Sequence, residues 1–154
     1  MKKTFYLLLL FAIGLTACKK TVFDPTAQAI ADDAAIKAYL KANNLTATKD
    51  PSGVYYNVVT QGTGLNAVDT STVQVNYVGK LLNGTVFAPS GKQSTTQILS
   101  SFIPGWQVGI PYVRAGGRIQ LYIPSGYGYG NDTSNAAIPA NSVLIFTVDV
   151  LTVH

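Results

Sequence analysis

Phe102-Ile103-Pro104-Gly105-Trp106, followed by Tyr127-Gly128-Tyr129-Gly130 and Ile138-Pro139, is the stretch on which the reading of this chain turns. It sets a tryptophan, tyrosines and aliphatic side chains around sharp turns, with almost nothing ionisable beside them. Proton transfer and nucleophilic attack need groups that titrate or attack, and this region supplies essentially none. A concave apolar pocket with one or two polar groups suits a different purpose, that of gripping a neutral apolar peptide segment and changing its conformation.

Outward from that stretch the pattern has period two. Residues 54–60 read as a strand, Gln61-Gly62-Thr63-Gly64 as a turn, and residues 72–82 as a longer strand with Val73, Val75 and Tyr77 on one face. Asn83-Gly84 signals a hairpin, because both residues tolerate positive φ. Residues 118–123 and 143–153 alternate again, with Leu144, Phe146, Val148 and Val150 on a common face. Between them residues 104–110 read as a helix, which Pro111 limits to about two turns. Further upstream, Asp24-Pro25 offers an N-cap and a first helical residue, and alanine-rich sequence runs on to Asn43-Asn44. Ala29, Ile36, Tyr39, Leu40 and Asn43 share one side of that helix. The stripe is narrow, which suits light packing on the domain or a spacer; a partner-binding helix is the functional reading of the same pattern.

The outermost segment reads as a processing signal. Lys2-Lys3 give a basic start, and residues 5–15 an apolar run shorter than the roughly 20 residues that span a bilayer. The run ends in Leu15-Thr16-Ala17-Cys18, which resembles a bacterial lipobox: small residues before a cysteine that is acylated once the peptide ahead of it is cut. Cys18 is the only cysteine of the chain, and it stands where lipidation needs it. An ordinary secretory signal with an incidental cysteine is the rival. Acyl chains stabilise an anchor by about 0.8 kcal/mol per buried CH₂, and two or more hold firmly. The expected organisation is a lipoprotein signal peptide over 1–17, a lipid-anchored tether and N-terminal helix over 18–52, and one domain over 53–154. The expected location is the bacterial cell envelope, and Lys19-Lys20, with no acidic retention signal, favour the outer membrane facing the periplasm. With residues 1–17 removed, nine Lys and Arg against seven Asp leave a net charge of +2. There is no basic run to neutralise phosphates, which argues against a nucleic-acid partner.

Inventory removes several enzyme classes. The only histidine is His154, the last residue, and lipidation consumes the only thiol. That argues against a Ser-His-Asp or Cys-His nucleophile and a His/Cys zinc site within the domain. Two-carboxylate chemistry would need a pair among Asp69, Asp132 and Asp149, which read as turn or strand-exposed residues. Gly126, Gly128 and Gly130 alternate with aromatics and open no helix, so they are no phosphate loop. No metal or cofactor is expected.

The opening stretch, with Val75-Asn76-Tyr77-Val78-Gly79 and Asn83-Gly84-Thr85-Val86-Phe87, resembles the FKBP family of peptidyl-prolyl cis-trans isomerases. The motifs keep their order and approximate spacing. The resemblance implies an α+β fold, a curled antiparallel β-sheet of four to six strands wrapped over one short helix, here preceded by the N-terminal helix. It also implies a site. Trp106 is the floor beneath a proline ring, with Tyr77, Phe87 and Phe146 as walls. Phe102 lines the pocket, and the Ile103 N–H and the Tyr129 hydroxyl are donors to substrate carbonyls. Ile138 closes the rim. Tyr129, Phe87, Ile103 and Trp106 carry the catalytic roles, and Tyr77, Phe102, Ile138 and Phe146 bind substrate. Proline-containing polypeptides are the implied partners, and the implied role is assisting the folding of exported proteins. Three departures stand out. Ala88 replaces the family's aspartate after Phe87, which weakens the implied binding of macrolide ligands. Gln97 or a neighbouring threonine stands for an aromatic, and Ser134 for a loop histidine. The rival reading is a weakly active or inactive lipid-anchored peptide-binding chaperone or assembly module; a surface lipoprotein with sugar-stacking aromatics is more distant.

Overall fold

A computed structural model describes residues 23–88 and 94–154. The segment read as a signal peptide, Cys18, and Pro89 after Ala88 lie outside the described residues. Helix α1 spans Pro25–Ala42. The Asp24 carboxylate accepts from the Thr26 and Ala27 amides at 2.9 and 3.2 Å, satisfying two of the donors that every helix start leaves free. Asn43 is the C-cap, and Asn44 takes the left-handed conformation beyond it.

Among the described residues seven strands form one antiparallel sheet: β1 (Thr48–Lys49), β2 (Tyr55–Thr60), β3 (Thr72–Leu81), β4 (Val86–Ala88), β5 (Thr95–Ile98), β6 (Gly117–Ile123) and β7 (Leu144–Val153). The order across the sheet is β1-β2-β6-β7-β3-β4. β5 and β4 follow one another along the same edge of β3: β5 pairs with Thr72–Val75 and β4 with Gly79–Lys80. The expected α+β architecture is present, and the two shortest strands, two and three residues long, lie at its margins. The Asn83-Gly84 hairpin forms too, with a loop one residue longer than the tight two-residue turn. Leu81 N–H donates to Thr85 O at 2.9 Å, and of the loop residues only Gly84 takes positive φ, +89°. The Asn83 side chain instead accepts from the Thr85 amide at 3.0 Å.

The concave face holds the main core. Val73, Val75, Ile119, Leu121, Ile123, Leu144, Phe146, Val148 and Val150 are buried there, each on the alternate positions of its strand. Helix α2 (Pro104–Gly109) packs on this face, followed by one 3₁₀ turn at Ile110–Tyr112. Helix α1 does more than act as a spacer. Its Ile36 and Leu40 pack with Tyr55, Tyr122, Val143 and Ile145 on the opposite face, at one end of the sheet. Ala29 and Asn43, from the same predicted stripe, are exposed. No helix among the described residues is long and apolar enough to cross a membrane.

Candidate functional site

The site is built around α2. Pro104 at its start and Pro111 just after its end hold it to six residues. The Trp106 and Gln107 amides both donate to Ile103 O, at 2.9 and 3.3 Å. Gln107 Nε2 reaches back to Phe102 O at 2.7 Å and Ser100 O at 3.2 Å, fixing the segment that enters the helix. Gly105 faces Ile123 on β6 so closely that a Cβ there would collide with it. The missing side chain lets the helix lie flat on the sheet, which draws Trp106 down to 2% exposure.

Three rings meet at Trp106, and a fourth joins them through Phe146. Tyr77 from β3 and Phe146 from β7 stand edge-on to it, with centroids 4.9 and 5.2 Å away and interplanar angles of 87° and 90°. Phe87 from β4 meets Phe146 edge to face at 5.5 Å. Gly79 permits that meeting, since a Cβ there would lie 2.6 Å from Phe87 and 2.8 Å from Phe146. Phe102 stacks on the indole at 4.8 Å and 25°. Five of the eight residues read from sequence are therefore one contiguous ring cluster. Ile103 and the buried Ile138 belong to the same apolar core. Trp106 Nε1 is buried without a hydrogen-bond partner, a rare condition that points to a functional site or to a water.

Tyr129 stands apart, on the loop after β6. Pro124 leads into a 3₁₀ turn, Ser125–Tyr127, and the Gly128 and Gly130 amides on either side of Tyr129 both donate to Ser125 O, at 2.9 and 2.8 Å. The ring is 44% exposed. Desolvation of its hydroxyl, with a smaller contribution from Tyr77, pushes the Tyr129 phenol above its usual value. It is therefore a protonated donor throughout the neutral range. Among the described residues the Ile103 N–H has no protein acceptor, while its carbonyl is used twice by α2.

The departures fall as follows. Ala88 is half-buried and pairs with Gly79 across β3 and β4. Gln97 is exposed on β5. Ser134 closes a turn with Asp132, its amide at 2.7 Å and its hydroxyl at 3.0 Å from the carboxylate. Sequence reasoning did not single out Gln107 or Asp32. A polar residue in a six-residue apolar helix was the available signal for the first. For the second there was none, because an aspartate early in a helix is ordinarily a solvated charge that favours the helix dipole. A recess of about 630 Å³ opens beside Asp32, between α1 and the 124–131 turn, away from the ring cluster.

A profile of FKBP-type peptidyl-prolyl cis-trans isomerases matches residues 64–151. This chain belongs to that family. A probable FKBP-type peptidyl-prolyl cis-trans isomerase of Haemophilus influenzae is 43% identical over 105 residues, covering 67% of this chain and 44% of that protein. The outer membrane protein MIP of Legionella longbeachae is 35% identical over 106 residues, covering 67% of this chain and 45% of that protein. The FKBP chain thus spans less than half the length of these two relatives. Among solved structures, FkpA from Escherichia coli superposes with a TM-score of 0.70 at 32% identity, covering 83% of this chain and 63% of its own. A Pseudomonas syringae peptidyl-prolyl cis-trans isomerase gives 0.69 at 25% identity, covering 86% and 98%.

Proposed function

We propose that this FKBP chain is a peptidyl-prolyl cis-trans isomerase that acts at the Trp106 ring cluster without covalent or metal chemistry. One observation carries the reading: Tyr77, Phe87, Phe102, Trp106 and Phe146 converge from β3, β4, β7, α2 and the segment before α2. The barrier to rotation about a prolyl bond is loss of amide resonance, about 18–20 kcal/mol. At the perpendicular transition state the carbonyl is less dipolar than in the planar ground state. A dry ring-lined pocket disfavours the ground state by comparison, and each 1.36 kcal/mol of difference is worth about tenfold in rate. In this reading Trp106 supports the proline ring and Tyr77, Phe87 and Phe146 exclude water. Phe102 and Ile138 contact the flanking residues. The Ile103 N–H and the Tyr129 hydroxyl hold substrate carbonyls on either side of the rotating bond.

A protease-coupled assay on a series of X-Pro tetrapeptides tests this. The expected result is catalysis that prefers a bulky apolar X, stays flat between about pH 6 and 8, and ignores chelators and thiol reagents. Phe87→Ala should lose more activity than Tyr129→Phe, because an emptied wall admits water whereas the second change removes one hydroxyl. A steep pH limb near 7, or inactivation by a chelator, would show the mechanism to be wrong. A second reading is favoured by Phe102 lying over an indole only 2% exposed, and by Ala88: a peptide-binding module with little turnover. Saturable binding of a proline peptide without catalysis would select it.

The cellular role follows from the leader. Anchored by lipid at Cys18 in the bacterial envelope, at the outer membrane and facing the periplasm, the protein would assist exported chains whose X-Pro bonds limit folding. The name of the Legionella relative, an outer membrane protein, agrees with that placement. Labelled palmitate should enter the wild-type protein and not Cys18→Ala; equal labelling of both removes the anchor.

A further inference from the structure

We propose that Asp32 is a positioning residue for the isomerase site, its carboxylate fastening helix α1 to the turn that presents the Tyr129 hydroxyl. This rests on the proposed role of Tyr129 as a donor to substrate. Asp32 is 3% exposed, on a helix whose neighbouring positions are mostly alanine and lysine facing solvent. Its Oδ2 accepts from both the amide and the hydroxyl of Ser125, each at 2.7 Å. Its Oδ1 accepts from Gln28 Nε2, one helical turn earlier, at 2.7 Å. Three donors therefore meet one buried anion, and none of them is a cation.

Burying a carboxylate is costly even when it is bonded, and an apolar side chain at this place would dock the helix at least as firmly. What the anion adds is direction. Charge-assisted bonds are short and specific, and two of them grip a single residue, Ser125, from two sides. Ser125 is also the residue whose carbonyl takes the Gly128 and Gly130 amides. Those two glycines bracket Tyr129 in the chain, so the path from Asp32 to the phenol runs through Ser125 and one backbone turn. Glycines on both sides leave Tyr129 little conformational restraint of its own. The restraint comes from the bonds to Ser125, and Asp32 fixes Ser125. Ile36 and Leu40, one and two turns further along α1, are packed under the sheet and hold the helix in register for this contact.

The test uses the full-length chain and compares Asp32→Ala, Asp32→Asn and Ser125→Ala, each with and without Tyr129→Phe. Asp32→Ala should lower kcat/KM about fivefold, chiefly through kcat, since a loosened donor is lost in the transition state rather than in binding. With Tyr129→Phe already present, the same change should cost less than about twofold, because residues acting through one group are not additive. Asp32→Asn keeps an oxygen for Ser125 and should recover most of the activity. Amide hydrogen exchange should speed up at Gly128 and Gly130 and stay unchanged in β3 and β7. Equal losses in both backgrounds, or full activity in a folded Asp32→Ala protein, would overturn the proposal. So would a Tyr129→Phe change that is itself silent. If the wild-type chain does not isomerise prolyl peptides, the isomerase reading falls separately. Exchange at Gly128 and Gly130 then decides on its own whether Asp32 holds the turn, and unchanged exchange overturns it. Should Asp32→Ala fail to fold, Ser125→Ala, which removes the hydroxyl bond to Asp32, carries the same comparison with and without Tyr129→Phe.

Discussion

The two helices cover the two faces of the sheet in opposite ways. α2 is six residues long and lies over the concave face, where it brings in a tryptophan; the rings around it bond to one another through their edges and faces alone. α1 is eighteen residues long and covers only one end of the convex face, where its apolar contacts are few and its polar ones many. There Asp33 meets Lys37 Nζ at 2.7 Å, Lys49 Nζ at 2.6 Å and the Tyr55 hydroxyl at 2.8 Å, while Asp32 grips Ser125. One layer is held by area and shape, the other by directed charge. The first kind of contact excludes water and suits a site that must be dry. The second fixes orientation and suits a strut.

Removing the centre of the inner layer should have the largest effect. Trp106→Ala takes away the indole on which Tyr77, Phe102 and Phe146 rest, and should cost about 3–5 kcal/mol of stability with loss of isomerase activity. Chemical unfolding followed by far-ultraviolet circular dichroism measures the first, because the chain has no other tryptophan to report by fluorescence. Ile36→Ala, in the outer layer, should cost about 2–4 kcal/mol. The native emission of Trp106 should not move in that variant. A red shift would mean that the layers are coupled throughout and that they do not differ as sharply as their contacts suggest.

The smallest effect is the one that separates charge from area. The ammonium groups of Lys37 and Lys49, helped by the Tyr55 hydroxyl, hold the Asp33 carboxyl well below the usual carboxylate range. A depressed native value means that the contribution is present above the unfolded value, about 3.9, and is lost as pH falls below it. Both lysines are largely exposed, so each pair is worth about 0.2–1 kcal/mol. Wild-type stability should therefore decline on acidification below about pH 4 more steeply than that of Asp33→Asn, and 1 M salt should narrow the gap. Parallel acid profiles would remove Asp33 from the account.

Most of the inner layer is legible in the sequence. Alternation in β3, β6 and β7 names the face that holds the main core, and proline at both ends of the Trp106 segment sets the helix length. Tyr77, Phe87, Phe102, Trp106 and Phe146 can be gathered on paper because their motifs are local and their spacing follows the family. The outer layer is not legible in the same way. Tyr55, Tyr122 and Ile145 sit at strand positions that alternation assigns to solvent, and they are buried only because a distant helix ends its path over them. Ile36 and Leu40 announce a stripe without saying what it covers. Asp32 cannot be told from its neighbour Asp33: one is sunk against Ser125 and the other lies at the surface, a difference made by residues about ninety positions away.

The margins of the sheet have a bearing on the polypeptides this protein is proposed to handle. A bare strand edge offers a row of free amides and carbonyls to any extended chain, and an unfolded client is such a chain. Here β1 shields only Tyr55 and Tyr56 of the outermost long strand, and a bulge between Val58 and Thr60 breaks the rhythm of what remains. On the far side the border of β3 is taken, among the described residues, by two short strands, β5 and β4. Among the described residues a visiting chain finds no long ladder on which to zip. On the proposed reading its binding is left to side-chain pockets such as the ring cluster about Trp106.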